Sequence, residues 1–152
     1  MLTRRRFLIA ATATPLIGLT LRPAHAATAP VFAKRGVAIN GFDPVAYFTQ
    51  STHVAGSADN THDWMGALWK FASVENRDRF AADPEAFAPQ YGGYCAFAMS
   101  SGYIAKTDPD AWTVYDGKLY LNYNLVVRDQ WSQDIPGNIK RADGHWPGIL
   151  DA

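Results

Sequence analysis

The stretch HDWMGALWKFASVENRDRFAAD, residues 62–83, decides the fold. In its first half, residues 68–71 alternate with the period of two that is typical of a half-buried strand. A second short strand precedes Met65-Gly66, a pair that suits a turn. The first half therefore predicts a hairpin of two short strands that turns at these two residues.

The second half of the same stretch predicts a helix. Ser73 is a residue type that caps helices by accepting a hydrogen bond from a free backbone amide. The segment VENRDRFAAD follows it directly. In that segment Glu75 and Arg79 lie four residues apart, so they share one helix face and can form an ion pair.

A second hairpin and two further helices follow toward the C-terminus. The segment AWTVYDGKLYLNYN, residues 111–124, contains Asp116-Gly117, which suits a two-residue turn that requires positive φ. Asn124 can cap the next helix, and Asp134 can start a last helix over residues 134–147. Short antiparallel strands and hairpins mixed with short helices, without regular βαβ alternation, predict a single small α+β domain.

One local pattern, Asp-Pro-x-Ala-aromatic, occurs three times, at residues 43–47, 83–87 and 108–112. Asp accepts hydrogen bonds from the free amides of a helix start, and Pro at the first helical position loses no hydrogen bond. The pattern predicts three short helical turns, each with its aromatic residue packed inward. The alternative, in which these carboxylates are catalytic or metal groups, is the weaker interpretation.

The N-terminus predicts export. Arginines stand directly before an apolar run of about 15 residues, which is shorter than the roughly 20 residues that a membrane-spanning helix needs. The pattern is similar to a twin-arginine signal peptide over residues 1–26, with small residues before the cleavage point. The residues that carry the signal are Arg4, Arg5, Phe7, Leu8, Ala24 and Ala26. The mature domain is therefore expected to be residues 27–152, in the periplasm or outside the cell.

Removal of that segment makes the chain acidic. Of the 14 basic residues, four arginines lie in residues 1–26, which leaves ten against 14 acidic residues and a formal charge of −4. An acidic protein lacks the basic footprint of a nucleic-acid-binding protein. No second apolar run is long enough to span a membrane. With one cysteine, the chain forms no internal disulfide.

Four segments resemble the exported YHS-domain proteins, and the resemblance covers nearly all of residues 36–147. The segments are GFDPVAYF (41–48), LWKFASVENRDRFAADPEAFAPQYGGYCA (68–96), DGKLYLNYN (116–124) and WSQDIPGNI (131–139). The resemblance implies a YHS-like module at about residues 60–95, followed by the hairpin and helices of residues 111–147. It also implies metal handling as a broad role, although the activity of the family is mostly undefined. Metal-binding relatives carry several cysteines, whereas this chain has only Cys95, which removes a tetrathiolate site.

The segment PQYGGYCAFAMSSGY, residues 89–103, contains that cysteine and supplies the candidate metal site. The glycines before Cys95 allow a sharp bend that would set the thiol at the start of a helix. Met99 would then lie one turn further on the same face, and His62 could approach from a neighbouring strand. A thiolate and a thioether suit Cu(I), so a copper ion is the candidate cofactor.

Two alternatives to a metal site remain open. Free cysteine is among the most buried residue types, so Cys95 can be a core residue of a module that binds a small ligand or a partner. In that case the aromatic residues around the glycine turn would line the pocket. Cys95 and His62 can also form a nucleophile–base pair of a thiol-dependent enzyme. No catalytic residue is assigned, and the preferred prediction is a non-catalytic binding module with an unidentified metal-handling or redox partner.

Overall fold

The first half of the chain is built on a four-stranded sheet, as seen in a computed structural model that describes residues 26–152. Its strands are β1 (Ala33–Lys34), β2 (Val37–Ala38), β3 (Ser57–Trp64) and β4 (Ala67–Phe71), in the order β1-β2-β4-β3. The predicted hairpin is confirmed, because β3 and β4 are antiparallel and turn at Met65 and Gly66, which have φ of 51° and 76°. The sequence did not predict the parallel pairing of β2 with β4.

Within residues 26–152, the domain also contains six short helices and a separate two-stranded sheet, most of them in the second half of the chain. The helices are α1 (Ala46–Thr49), α2 (Val74–Ala82), α3 (Pro84–Phe87), α4 (Ala96–Ser100), α5 (Leu125–Trp131) and α6 (Ile135–His145). The sheet consists of β5 (Trp112–Tyr115) and β6 (Lys118–Leu121). Asp116 and Gly117 form its turn with φ of 49° and 71°, as the sequence predicted.

Three predicted helix caps are present. The Ser73 hydroxyl accepts from the Asn76 amide at 3.1 Å at the start of α2. The Asn124 side chain accepts from the Val127 amide at the start of α5, and the Asp134 carboxylate accepts from the Gly137 amide at the start of α6. Each such cap is worth about 1 kcal/mol. The Glu75–Arg79 pair also forms, although its exposure makes its contribution small.

The Asp-Pro pattern forms two of the three predicted helical turns. Asp43 and Asp83 accept from backbone amides at the starts of α1 and α3. The third prediction is wrong, because Asp108 accepts from the Asp110 amide in a turn that leads directly into β5. At that site Trp112 pairs with Leu121 across the hairpin, so strand pairing replaces the helical conformation.

Two clusters of buried side chains form the core of this α+β domain. The first lies against the four-stranded sheet and includes Trp69, Phe71 and Phe80. The second lies among α4, α5 and α6 and includes Met99 and Trp131. Each fully buried large apolar side chain contributes about 1.5–3 kcal/mol.

Two predictions concern membranes and export. Across residues 26–152, no helix has the length and apolar character required to cross a bilayer. The signal residues Arg4, Arg5, Phe7, Leu8 and Ala24 lie outside the described residues, which begin at Ala26.

Candidate functional site

Cys95 stands at the start of α4, where the sequence places it. The helix itself begins at Ala96, and the Cys95 sulfur accepts from the Ala98 amide at 3.5 Å. The residue is 1% exposed. The sulfur also lies 3.6 Å from the side-chain oxygen of Asn122, to which the thiol donates. Both hydrogen-bonding directions of the thiol are therefore used inside the protein.

Asn122 is the partner that the sequence analysis missed. It follows β6 and is fully buried, and its side-chain oxygen also accepts from the Phe97 amide at 3.0 Å. That backbone donor fixes the orientation of the amide group. The side-chain nitrogen of Asn122 therefore points elsewhere and has no partner among the described residues. Asn122 ties the second hairpin to α4, and only the tertiary fold shows this contact.

The three candidate metal ligands lie in different surroundings. Met99 shares α4 with Cys95 but is fully buried in the second core cluster. His62 lies on the edge strand β3, and its ring packs against Phe80 with centroids 6.1 Å apart. Within residues 26–152, no group of three His, Cys, Asp or Glu side chains is placed to hold a metal ion. Cys95 and Met99 are buried and His62 is half-buried on a different element, so binding of copper by these three residues stays a prediction.

A small pocket of about 280 Å³ opens next to Cys95. Its walls are mainly apolar and include Phe97 of α4 and Val127 of α5, with Tyr103 and Tyr123 at its exposed side. Among the described residues that line it there is no histidine, so His62 does not face the thiol across this space. The arrangement favours the interpretation of Cys95 as a core residue.

A larger cleft of about 370 Å³ lies at the boundary between the two core clusters. Four aromatic side chains line it, and we call it the aromatic cleft: Trp64, Trp69, Tyr91 and Trp146. The first two belong to the sheet and the last two to the helical half. The cleft opens to solvent beside Met65, whose side chain is 51% exposed. A pocket of this size and composition is typical of small-molecule sites.

A hydrogen bond and aromatic packing hold the sheet side of the aromatic cleft together. Trp64 ends β3, and the indole nitrogen of Trp69 donates to the Trp64 carbonyl oxygen at 3.0 Å. The two indole rings lie 5.7 Å apart, and the Phe80 ring packs 5.0 Å from Trp69. Aromatic pairs at such distances stabilise one another beyond the area that they bury. The indoles are therefore held in place before any ligand arrives.

The opposite side depends on an unusual backbone at Tyr91 and Gly92. Tyr91 has φ of 57°, a left-handed conformation that is costly for a bulky residue. The Gly92 carbonyl accepts from the Phe32 amide at 2.9 Å, and a β-carbon at Gly92 would overlap the Pro30 carbonyl oxygen. Strain of this kind costs about 1–3 kcal/mol per residue and is concentrated at functional sites.

The polar groups of the aromatic cleft are suited to binding. The Tyr91 hydroxyl donates to the Asp143 carboxylate at 2.9 Å. Burial, and then that hydrogen bond, raise the pKa of Tyr91 well above its ordinary value, so the hydroxyl stays neutral. Glu85 and Lys118 also line the cleft and are exposed, one of each charge. These groups can orient a polar ligand end, but they form no nucleophile–base pair.

Comparison of the chain with protein-family models, with curated proteins and with solved structures finds no match. The similarity to YHS-domain proteins therefore stays a prediction from the sequence.

Proposed function

We propose that this protein is an exported, non-catalytic binding module of the YHS type that takes a small, flat organic molecule into the aromatic cleft. The observation that carries the proposal is the cleft itself, which has about 370 Å³ of space between aromatic walls from both halves of the domain. Aromatic walls favour a ligand with a ring or another flat apolar body. In this proposal Cys95 is a structural residue.

The burial of the cleft residues supports this assignment. Trp69 is 1% exposed and Tyr91 is 5% exposed, so both are anchored in the core. Trp64 and Trp146 are half-buried, which leaves part of each ring accessible to a ligand. A preformed cleft needs little reorganisation on binding, and this reduces the entropic cost.

The hydrogen bonds of Cys95 are consistent with a structural role. The thiol donates to Asn122 and accepts from the Ala98 amide, so both directions are satisfied within the protein. Copper binding through Cys95, His62 and Met99 nevertheless stays testable. Stoichiometric Cu(I) binding that Cys95→Ser abolishes would replace the present proposal.

The test uses indole as the probe, followed by nuclear magnetic resonance of the labelled protein. We expect indole to shift the side-chain NH signals of Trp64 and Trp146 but not that of Trp131, which is buried in the second core cluster. Trp146→Ala should weaken indole binding about fivefold or more, since it removes one aromatic wall. Tyr115→Ala, which removes an exposed aromatic ring outside the cleft, is the matched control and should bind indole normally.

Charged analogues test the rim of the cleft. Tryptamine carries a positive charge and should lose affinity in Glu85→Gln, whereas indole-3-acetate carries a negative charge and should lose affinity in Lys118→Gln. A wild-type protein whose signals do not respond to any of the three probes would refute the proposal. Equal affinity of wild type and Trp146→Ala for indole would also refute it.

A further inference from the structure

A second groove shares no residue with the aromatic cleft and is lined by three positively charged side chains. It has a volume of about 540 Å³ and carries Lys34, Arg35 and Lys70, and we call it the basic groove. Its other residues are small or uncharged: Val37, Asn40, Gly41, Phe42, Ala55 and Gly56. Within residues 26–152, no carboxylate lines this groove.

The charge of the basic groove contrasts with the rest of the molecule. Four of the five arginines in residues 26–152 lie within 4 Å of a carboxylate, namely Arg77, Arg79, Arg128 and Arg141. Arg35 is the exception in that part of the chain. Lys34 and Lys70, like the three other lysines there, have no carboxylate within 4 Å. The mature chain carries a formal charge of −4. The groove therefore carries a local positive charge, whereas the mature chain as a whole is negatively charged.

The position of Lys70 on β4 directs its side chain into this groove. Lys70 lies on β4 between Trp69 and Phe71, which point into the first core cluster, so Lys70 points to the opposite face. Its side-chain carbon Cδ passes 3.6 Å from the place where a β-carbon of Gly41 would lie. That distance is an ordinary contact, whereas a β-carbon at Gly56 would lie 2.5 Å from the Lys70 β-carbon, so the close approach at Lys70 requires glycine at position 56. The Lys70 side chain then lines the groove.

Of the other two cations, Lys34 ends β1 and Arg35 lies in the tight turn between β1 and β2. Arg35 and Gly36 form this turn with φ of 52° and 81°. The left-handed conformation at the first of these positions favours Asn or Gly over Arg. Arg35 is therefore unfavourable for the backbone conformation of this turn, but its guanidinium group is suited to binding an anion.

An adjacent groove of about 520 Å³ carries charges of both signs. Asn40 and Lys34 also line this groove, together with Lys106, which lies above the Tyr123 ring, and with Asp108. The Asn40 side chain donates to the Thr107 carbonyl oxygen at 3.0 Å and is thereby fixed between the two grooves.

We propose that the basic groove binds a small oxyanion with two negative charges, that is, a phosphate group that is free or carried by a small ester. An arginine fork can hold two oxygens of such a group, and two lysines supply the compensating charge. This inference is independent of the aromatic cleft, since the two sites share no residue.

The test titrates inorganic phosphate into the labelled mature protein, with chloride at matched ionic strength as the reference. We expect phosphate to shift the backbone signals of Lys34, Arg35 and Gly41, and chloride to leave them in place. Lys70→Met, which keeps the stem and removes the charge, should weaken phosphate binding about tenfold. Lys140→Gln removes a lysine outside the groove and is the matched control.

Arg35→Asn separates a binding role from a structural one. Asn suits the left-handed turn better than Arg, so the variant should melt no lower than the wild type while its phosphate affinity falls about tenfold. Tighter binding of glycerol 3-phosphate than of phosphate would indicate an ester ligand, and equal binding would indicate the free ion. Equal effects of phosphate and chloride, or unchanged affinity in both Lys70→Met and Arg35→Asn, would overturn the proposal.

Discussion

Asp43 offers the sharpest test of how this fold is held together. Its carboxylate is fully buried and has no cationic partner among the described residues. One oxygen accepts from the Val45 amide at 2.8 Å and the Ala46 amide at 3.3 Å. The other accepts from the Ala72 amide and from the Asn76 side chain, both at 2.8 Å. The group therefore joins the start of α1 to the end of β4 and to α2.

Asp43→Asn changes this arrangement with almost no change in shape. An amide has one acceptor oxygen, so two of the four donors must face an NH₂ group in either orientation. A buried donor that loses its partner costs about 1–3 kcal/mol, and the remaining hydrogen bonds lose their charge assistance. Relief of the buried charge offsets part of this cost. We expect a net loss of about 2–4 kcal/mol in the free energy of unfolding, a large share of the 5–15 kcal/mol typical of a domain.

The assay is chemical denaturation with urea, followed by tryptophan fluorescence. Asp83→Asn is the matched control, because Asp83 occupies the same Asp-Pro pattern but is exposed and accepts from the Ala86 amide at 3.3 Å. Asn caps helices as well as Asp, so this variant should lose less than about 0.5 kcal/mol. The double variant Asp43→Asn with Asn76→Asp restores a carboxylate facing an amide and should recover about 1 kcal/mol. An Asp43→Asn variant as stable as the control would refute the reasoning.

Three further predictions concern the turn, alkaline pH and export. Gly117→Val should cost about 1–3 kcal/mol, because it puts a β-branched residue at φ of 71°, and an unaltered melting curve would contradict this. Burial is the main cause that raises the pKa of Tyr47 and Tyr91 in the folded protein. Their contribution to the free energy of unfolding is therefore complete below about pH 10, the tyrosine pKa in the unfolded chain. The free energy of unfolding should therefore fall as pH rises above about 10, less steeply in Tyr47→Phe, and a slope equal to wild type would contradict this. Replacement of Arg4 and Arg5 together by Lys should block twin-arginine export of the full-length chain, and unchanged export would exclude that route.

The parts of the fold that the sequence predicts are those set by neighbouring residues. The turn at Asp116-Gly117 and the caps at Ser73 and Asn124 each depend on chemistry within about four residues. The wrong prediction at residues 108–112 shows the limit of this reasoning. The local pattern that starts α1 and α3 precedes a strand at residues 108–112, because Trp112 pairs with Leu121 across the hairpin.

Contacts between distant segments set the candidate sites, which is why the sequence located them only in part. It predicts Cys95 at a helix start, but the thiol's partner Asn122 lies 27 residues away. It suggests a pocket of aromatic residues near the glycine turn, and Tyr91 does line the aromatic cleft. The other walls come from the first hairpin and from the end of α6, and no local pattern relates these segments to residues 91–94.

Seven non-glycine residues within residues 26–152 have positive φ, and four of them lie in the two proposed sites. Met65 and Tyr91 line the cleft, Arg35 and Asn40 line the groove, and all four have left-handed backbones. Asn tolerates this conformation, whereas Met65 and Arg35, both exposed, make the fold less stable there than Asn or Gly would. Tyr91 differs, because it is 5% exposed and the burial of its ring offsets the strain. A cation at the basic groove is what anion binding requires, so the proposed ligand accounts for an arginine at a turn position that favours Asn or Gly.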